Sequence, residues 1–464
     1  MNVWRKKPIA QLLQESEKTS LRRALSAVDL VLLGIGAIIG TGIFVLTGVA
    51  AAQHSGPALV LSFILASIAA AFAALSYAEF ASAVPISGSV YTYTYVTMGE
   101  FLAWIIGWNL ILEYTLVVSA VAVGWSGYFQ ILLSGFGITL PEALVKTPVE
   151  GGLFNLPAVA IVLAIAWLLS RGVKESARLN NLIVFLKVGI ILLFILVGAF
   201  YVKPENWTPF LPFGWSGVLT GAAVVFFAYG GFDAVSSAAE EVKNPKRDLP
   251  IGIIGSLAIC TLLYIAVSAV LTGMVPYAEL NNSAPVAFAL QKVGQNGLAG
   301  VISASAVITI TTVMLVMAYG QTRICFAMSR DGLLPQVFAR VHERYKTPYL
   351  GTWVAGLAAA ALAGFIPLGR LAELVNMGML TAFVLIQIGV LVLRYKEPDL
   401  PRGFRVPGVP YTPILGSLVA LFLMFNLSRV TWLAFFIWLG VGLVVYFLYG
   451  YRNSTLARNA GPER

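Results

Sequence analysis

The segment Gly34-Ile35-Gly36-Ala37-Ile38-Ile39-Gly40-Thr41-Gly42-Ile43-Phe44 places four glycines inside an apolar run long enough to cross a bilayer. Glycine costs about 1 kcal/mol relative to alanine in a helix interior, and lipid offers the backbone no replacement hydrogen-bond partners. The cluster Gly40-Thr41-Gly42 therefore reads as a deliberate break in a membrane helix. Such a break is tolerated only where it lines a protein cavity, and there the freed N–H and C=O groups can hold a polar solute. Gly36 and Gly40, four apart on one face, also suit close packing against a neighbouring helix. The two readings are compatible, with Gly36 packing while Gly40 to Gly42 unwind. The spacing Gly34-x-Gly36-x-x-x-Gly40 is not a nucleotide fingerprint, because the exact spacing, the preceding strand and the βαβ context are missing.

The rest of the chain supports a membrane setting. Of its 464 residues 59% are hydrophobic and 11% charged, against about 25% charged in soluble domains. Apolar runs of roughly 18 to 25 residues predict an all-α membrane protein with twelve transmembrane helices. These spans 1 to 12 lie at approximately 27–51, 57–83, 100–133, 154–170, 180–201, 215–240, 249–273, 297–327, 350–367, 372–393, 411–428 and 431–450. The net charge of +9 would suit nucleic acid only on a soluble domain with clustered Lys and Arg, so no nucleic-acid partner is expected. With both termini cytoplasmic, 23 of the 30 Lys and Arg residues fall on the inner side. Lys146, Lys203, Lys292, Arg370 and Arg429 fall outside, and Lys187 and Arg323 lie within spans, which is the positive-inside pattern. No cleavable signal peptide is expected, since the polar first 25 residues lead into a span too long for an h-region. Cys260 and Cys325 both sit in spans and suggest neither disulfide nor metal cluster. No cofactor or metal is expected, and neither His54 nor His342 is placed for catalysis, so the chain does not read as an enzyme.

Several residues stand out in order. Residues 1–25 read as a cytoplasmic amphipathic lead-in, and Ser26 with Asp29 as the capping chemistry of span 1. Glu79 lies at the end of span 2, and the polar link that follows, through Pro85-Ile86-Ser87-Gly88 to Tyr91, reads as a partly re-entrant cytoplasmic gate, with Glu79 either part of it or an interfacial carboxylate beside water. In span 3, Asn109 and Glu113 share a face at i and i+4. A carboxylate at that depth costs about 2.5–3.5 kcal/mol on insertion scales and so faces a cavity or a partner. Lys187 in span 5 lies nine residues beyond Arg178, roughly 13 Å along a helix. It either snorkels to the inner interface or points inward at broken backbone carbonyls as a protonation switch.

Span 6 repeats the opening anomaly. Phe226-Phe227-Ala228-Tyr229-Gly230-Gly231-Phe232-Asp233 joins a glycine pair to a buried carboxylate in mid-span. Each break lies in the first helix of a five-helix block, 26–201 and 214–394. Because each block has an odd number of spans, the second starts from the opposite side of the membrane. This predicts a five-plus-five inverted repeat with broken helices 1 and 6, followed by two C-terminal helices over 411–450 and a cytoplasmic tail, 451–464. Paired interruptions of this kind point to a transport site. Met317 on span 8 would shape its side-chain pocket, though methionine is more often adaptable packing.

With these residues in view, the chain resembles the amino acid-polyamine-organocation superfamily, and within it the cationic amino acid transporter subgroup with its bacterial proton-coupled relatives. Gly36 to Phe44 looks like that family's first-helix motif and Phe227 to Asp233 like its sixth-helix break. Trp108 to Glu113 and Glu240 to Pro250 are similar to the cationic subgroup. The resemblance implies a substrate held between helices 1 and 6. It implies that Gly40, Thr41 and Gly42 form the carboxylate end, with backbone N–H groups from Thr41 and Gly42. Carbonyls of Ile38, Phe227, Ala228 and Gly230 would then meet the ammonium. Lys187 would take the place of a sodium ion and couple transport to protons. Glu113 and Asp233 would supply an anion for an arginine or lysine side chain, whereas Met317 filling that space would favour small neutral amino acids such as alanine.

The resulting expectation is proton-coupled uptake of L-amino acids across the plasma membrane, in contact with membrane lipid. Two alternatives are a cationic amino acid exchanger or uniporter, and a non-transporting amino acid sensor, for which the tail 451–464 is short.

Overall fold

The computed structural model describes residues 4–7, 23–85, 89–172 and 177–459. Most of the lead-in expected over 1–25 lies outside the described residues, as do Ile86-Ser87-Gly88 of the link after span 2 and 460–464 of the tail. Among the described residues the fold is all-helical, and the one β-type pairing is an isolated bridge between Leu25 and Val242.

Helix α1 (Ala27–Ile38) opens with the expected capping box: Ser26 N–H donates to Asp29 Oδ2 at 2.9 Å, and Asp29 N–H donates to Ser26 Oγ at 3.4 Å. It stops where the glycine cluster begins, with Ile39 extended at φ −75°, ψ 106°. The chain resumes as a helical stretch, α2, over 42–55, whose first turn is a wide π-turn (Gly42–Leu46). There follow α3 (Leu59–Ala83), α4 (Ser89–Thr97), α5 (Glu100–Gly135), α6 (Leu156–Arg171) and α7 (Ala177–Ala199). The second break separates α8 (Gly214–Val225) from the short α9 (Ala234–Ser237). Between them lie a 3-10 turn (Phe226–Tyr229), an extended Gly230 and Gly231 at φ +116°. The remaining elements are α10 (Pro245–Met274), α11 (Pro285–Lys292), α12 (Asn296–Arg330), α13 (Tyr349–Phe365), α14 (Leu368–Lys396), α15 (Tyr411–Phe425) and α16 (Arg429–Val445).

Among the described residues, eight helical segments are long and apolar enough to cross a membrane, and four shorter apolar helices accompany them. The polar link after span 2 and the segment between spans 7 and 8 each hold a helix, α4 and α11. In α4 the residues Tyr91, Tyr93 and Tyr95 are all buried, so tertiary burial overrides the weak helix propensity of its Ser, Thr and Tyr residues.

The helices pack in two groups. In one, α10 lies along α1 and α3, and α8 lies along α3; in the other, α12 packs on α5, and α13 on α5 and α6. Helix α7 touches both groups, and α14 runs between α3 and α5. The last two helices cover the outside, with α15 on α14 and α3 and α16 on α14 and α5.

Glu79 is not an interfacial carboxylate beside water. It is fully buried at the end of α3, where Arg394 Nε and Nη2 donate to its two oxygens at 2.6 and 2.7 Å and Val406 N–H donates at 2.7 Å. Arg402 Nε lies 3.1 Å away. A carboxylate surrounded this way is a structural tie between α3, α14 and the 397–410 link, because its charge is compensated by two guanidiniums and satisfied by hydrogen bonds.

Candidate functional site

The two breaks face each other in the interior of the fold. A Cβ built on Gly42 would lie 2.5 Å from Ala228 Cα, and one on Gly231 would lie 2.7 Å from the Ala37 carbonyl oxygen. Only glycine permits backbones this close, so the glycines anticipated as conformational breaks also act as spacers.

Between the breaks is a cavity. Of the sequence-derived site residues, Ile38, Gly40, Thr41, Gly42, Glu113, Phe227, Gly230, Asp233 and Met317 line it. It is narrow: the centre of a water-sized sphere has about 30 Å³ available, room for about two waters. Thr41 and Gly42 open α2, the end of a helix at which backbone N–H groups lack intrahelical partners and the dipole favours an anion. Thr41 Oγ1 donates to the Val121 carbonyl at 3.4 Å.

Ala228 and Lys187 do not line the cavity. Ala228 stands directly behind Gly42. Lys187 lies behind the first break, 1% exposed, with Nζ donating to the carbonyls of Gly36 at 2.7 Å and Ile39 at 3.2 Å. It does not snorkel. The break explains why: Ile39 leaves helical geometry, α1 ends with free carbonyls, and a cation is favoured at a helix C-terminus.

The i, i+4 pair of α5 is divided. Glu113 reaches the cavity, and its Oε2 is buried without a hydrogen-bond partner among the described residues. Asn109 instead donates from Nδ2 to the Gly378 carbonyl at 2.9 Å and ties α5 to α14. Trp108 also turns away: its indole donates to the Trp438 carbonyl at 2.9 Å, Trp438 returns a bond at 3.1 Å, and the rings stack at 4.5 Å.

Sequence reasoning missed Tyr264 on α10. Its hydroxyl lies 2.8 Å from the Ala228 carbonyl and 3.1 Å from the Ile38 carbonyl, bridging the two breaks. Two of the carbonyls expected to meet the substrate ammonium thus share the single proton of a tyrosine hydroxyl, each with acceptor capacity left over. The available signal was a phenol in mid-span, since a buried tyrosine hydroxyl requires a partner. Tyr264→Phe is expected to lower unfolding stability by about 1 kcal/mol, read as thermal unfolding of the detergent-solubilised protein, and to weaken the stabilisation conferred by an amino acid ligand. Met379, Val313 and Val121, also missed, complete an apolar wall with Met317.

The two breaks turn the N–H end of α2, backbone carbonyls, an apolar wall and two carboxylates towards one narrow space. Among the described residues no group of three His, Cys, Asp or Glu could hold a metal ion.

Comparison with known proteins places the chain in a family. Residues 25–449 match the amino acid permease family. The chain is 59% identical over 457 residues to the methylthioribose transporter of Bacillus subtilis (strain 168), covering 98% of this chain and 99% of the relative. It is also 59% identical over 461 residues to the branched-chain amino acid permease BcaP of the same organism, with the same coverage. It is 40% identical over 396 residues to the vacuolar cationic amino acid transporter 4 of Arabidopsis thaliana, covering 84% of this chain and 66% of that one. With its apolar helices and its paired broken segments, this multi-pass membrane protein is a transporter, and the chain belongs to the amino acid permease family.

Proposed function

We propose that the protein carries out proton-coupled uptake of neutral aliphatic L-amino acids across the plasma membrane, with Lys187 as the coupling group. The observation that carries the coupling is the buried Lys187 ammonium on the carbonyls of Gly36 and Ile39. Charged, it holds the end of α1 in place. On losing its proton it would release that end, so protonation and the geometry of the break are linked. The substrate carboxylate binds at Gly40, Thr41 and Gly42 and the ammonium near the carbonyls of Ile38, Phe227 and Gly230, in keeping with charge complementarity at helix ends.

The architecture we infer is twelve spans, with inverted repeats over 26–201 and 214–394, helices 411–450 as scaffold, and cytoplasmic lead-in and tail. The packing supports it: the broken pair α1 and α2 groups with α8 and α9, and α3 with α10, while α5 groups with α12 and α6 with α13, each pair holding corresponding places in the two blocks. The basic-residue asymmetry supports the orientation.

The apolar wall of Met317 and Met379 favours a neutral aliphatic side chain, in keeping with the branched-chain relative. The unpartnered Glu113 Oε2 favours a second reading, a cationic amino acid exchanger. Proteoliposome uptake separates them. Valine, leucine, isoleucine and alanine should compete and accumulate under an inside-alkaline gradient, whereas arginine exchange that requires internal substrate would replace the first reading with the second. Transport that persists without pH gradient or membrane potential would sink proton coupling. Met317→Ala opens space beside Glu113 and is expected to improve competition by arginine or lysine about ten-fold, measured in the same assay.

A further inference from the structure

A second, wider cavity of about 630 Å³ lies where the end of α6, the C-terminal half of α12 and the segment leading into α13 meet. Arg171, Arg323 and Lys346 line it with Tyr319, Tyr345 and Thr347, and among the described residues no carboxylate lines it. The guanidinium of Arg171 lies 4.9 Å over the Tyr345 ring, and its Nη1 donates to the Tyr345 hydroxyl at 2.8 Å. That of Arg323 lies 4.4 Å over the Tyr319 ring and donates to the Tyr319 hydroxyl. These contacts orient the cations without neutralising them. None of the three makes an ion pair with a carboxylate among the described residues.

The loop carrying Lys346 is shaped. Thr347 Oγ1 donates to the Ser170 carbonyl at 2.8 Å, His342 N–H donates to the Thr347 carbonyl at 2.8 Å, and Lys346 adopts φ +56°, which a long side chain rarely does. Three cations thus line one space, Arg171 held by a tertiary contact and Arg323 by a contact within its own helix, at the cost of mutual repulsion. Such an arrangement persists where an anion offsets it.

The rim of the cavity indicates where that anion comes from. Leu169, Phe326 and Val341 also line it, and Trp167, 51% exposed, lies 5.4 Å from the Arg171 guanidinium. Exposed tryptophan and tyrosine beside basic residues mark the membrane–water interface, and basic pockets between helices on the cytoplasmic side suit anionic headgroups. We propose that this cavity binds the phosphate group of an anionic glycerophospholipid of the inner leaflet, with its acyl chains running past Trp167. The choice of leaflet rests on the cytoplasmic orientation proposed above. Inorganic phosphate shares the headgroup chemistry but makes no use of the apolar rim.

The test uses the full chain in detergent, titrated separately with phosphatidylglycerol, phosphatidylcholine and inorganic phosphate, with thermal unfolding and native mass spectrometry of lipid adducts as readouts. Neither readout requires transport, so failure here is distinct from failure of the uptake reading. Phosphatidylglycerol is expected to bind and stabilise, and Arg171→Gln/Arg323→Gln to weaken that binding about ten-fold or more. The equally charge-reducing Arg247→Gln/Arg405→Gln, at exposed positions outside the cavity, should leave it unchanged. Arg171→Lys/Arg323→Lys keeps the charge and serves where the glutamine variant does not fold, with binding retained in part. Equal binding of phosphatidylcholine, equal loss in the Arg247/Arg405 variant, or protection by inorganic phosphate as strong as that by phosphatidylglycerol would each overturn the proposal.

Discussion

Lys187→Ala is expected to abolish concentrative uptake, leaving at most about one hundredth of the wild-type gradient-driven rate in proteoliposomes. The magnitude follows from the two charge-assisted hydrogen bonds to Gly36 and Ile39, each worth about 1.5–3 kcal/mol, where about 1.4 kcal/mol is tenfold. Removing the ammonium leaves two carbonyls without a donor in a buried site, and no neighbouring group takes over as a titratable cation on α1. Lys187→Met separates the possible causes of failure, since it keeps the volume of the side chain and removes only the charge and its donors. If coupling resides in this ammonium, the methionine variant should still exchange substrate across the membrane while ceasing to respond to the pH gradient. Wild-type gradient-driven uptake by either variant would remove Lys187 from the mechanism.

The second large effect is expected at Gly231. Its φ of +116° is rarely accessible to a residue with a side chain, and a Cβ there would lie 2.7 Å from the Ala37 carbonyl oxygen. Backbone strain of about 1–3 kcal/mol and overpacking of about 1–3 kcal/mol act together, so Gly231→Ala should destabilise by roughly 3 kcal/mol and force the two breaks apart. Thermal unfolding should report the first effect, and loss of stabilisation by an amino acid ligand the second. Gly440 is the control, a helical glycine of α16 whose added Cβ meets nothing within 4 Å. Gly440→Ala should be neutral or slightly stabilising, up to about 1 kcal/mol. Comparable losses at both positions would show that the close approach of the breaks is not what Gly231 supplies.

Much of the site was legible in the sequence because its signals are local. A glycine cluster inside an apolar run is improbable as an unbroken helix whatever surrounds it, so the positions of both breaks could be read without a partner in view. The same holds for Glu113, Asp233 and Lys187, whose depth in apolar segments alone demands a cavity or a compensating group. The choice of that group was not local. Asn109 and Glu113 share a face, yet one ties α5 to α14 and the other reaches the cavity, and a helical wheel cannot distinguish two neighbours four residues apart. Trp108, adjacent to them, goes to a carbonyl 330 residues away.

The sequence by itself determined that the chain is a multi-pass helical membrane protein, where its helices are interrupted and which titratable groups are buried with them. Hydropathy, glycine cost and the desolvation of charge act over a few residues or against the bilayer as a whole, so they can be evaluated along the chain. Only the tertiary structure decided who satisfies the exposed backbone: Tyr264 spans 36 residues to Ala228 and 226 to Ile38, and Lys187 takes Gly36 and Ile39. It alone paired Glu79 with Arg394 and Arg402, narrowed the cavity with Met317 and Met379, and gathered Arg171, Arg323 and Lys346 around one space. The physical reason is that lipid supplies no hydrogen bonds, so every polar group freed by a break must find its partner in another helix, and which helix lies within reach is a property of packing.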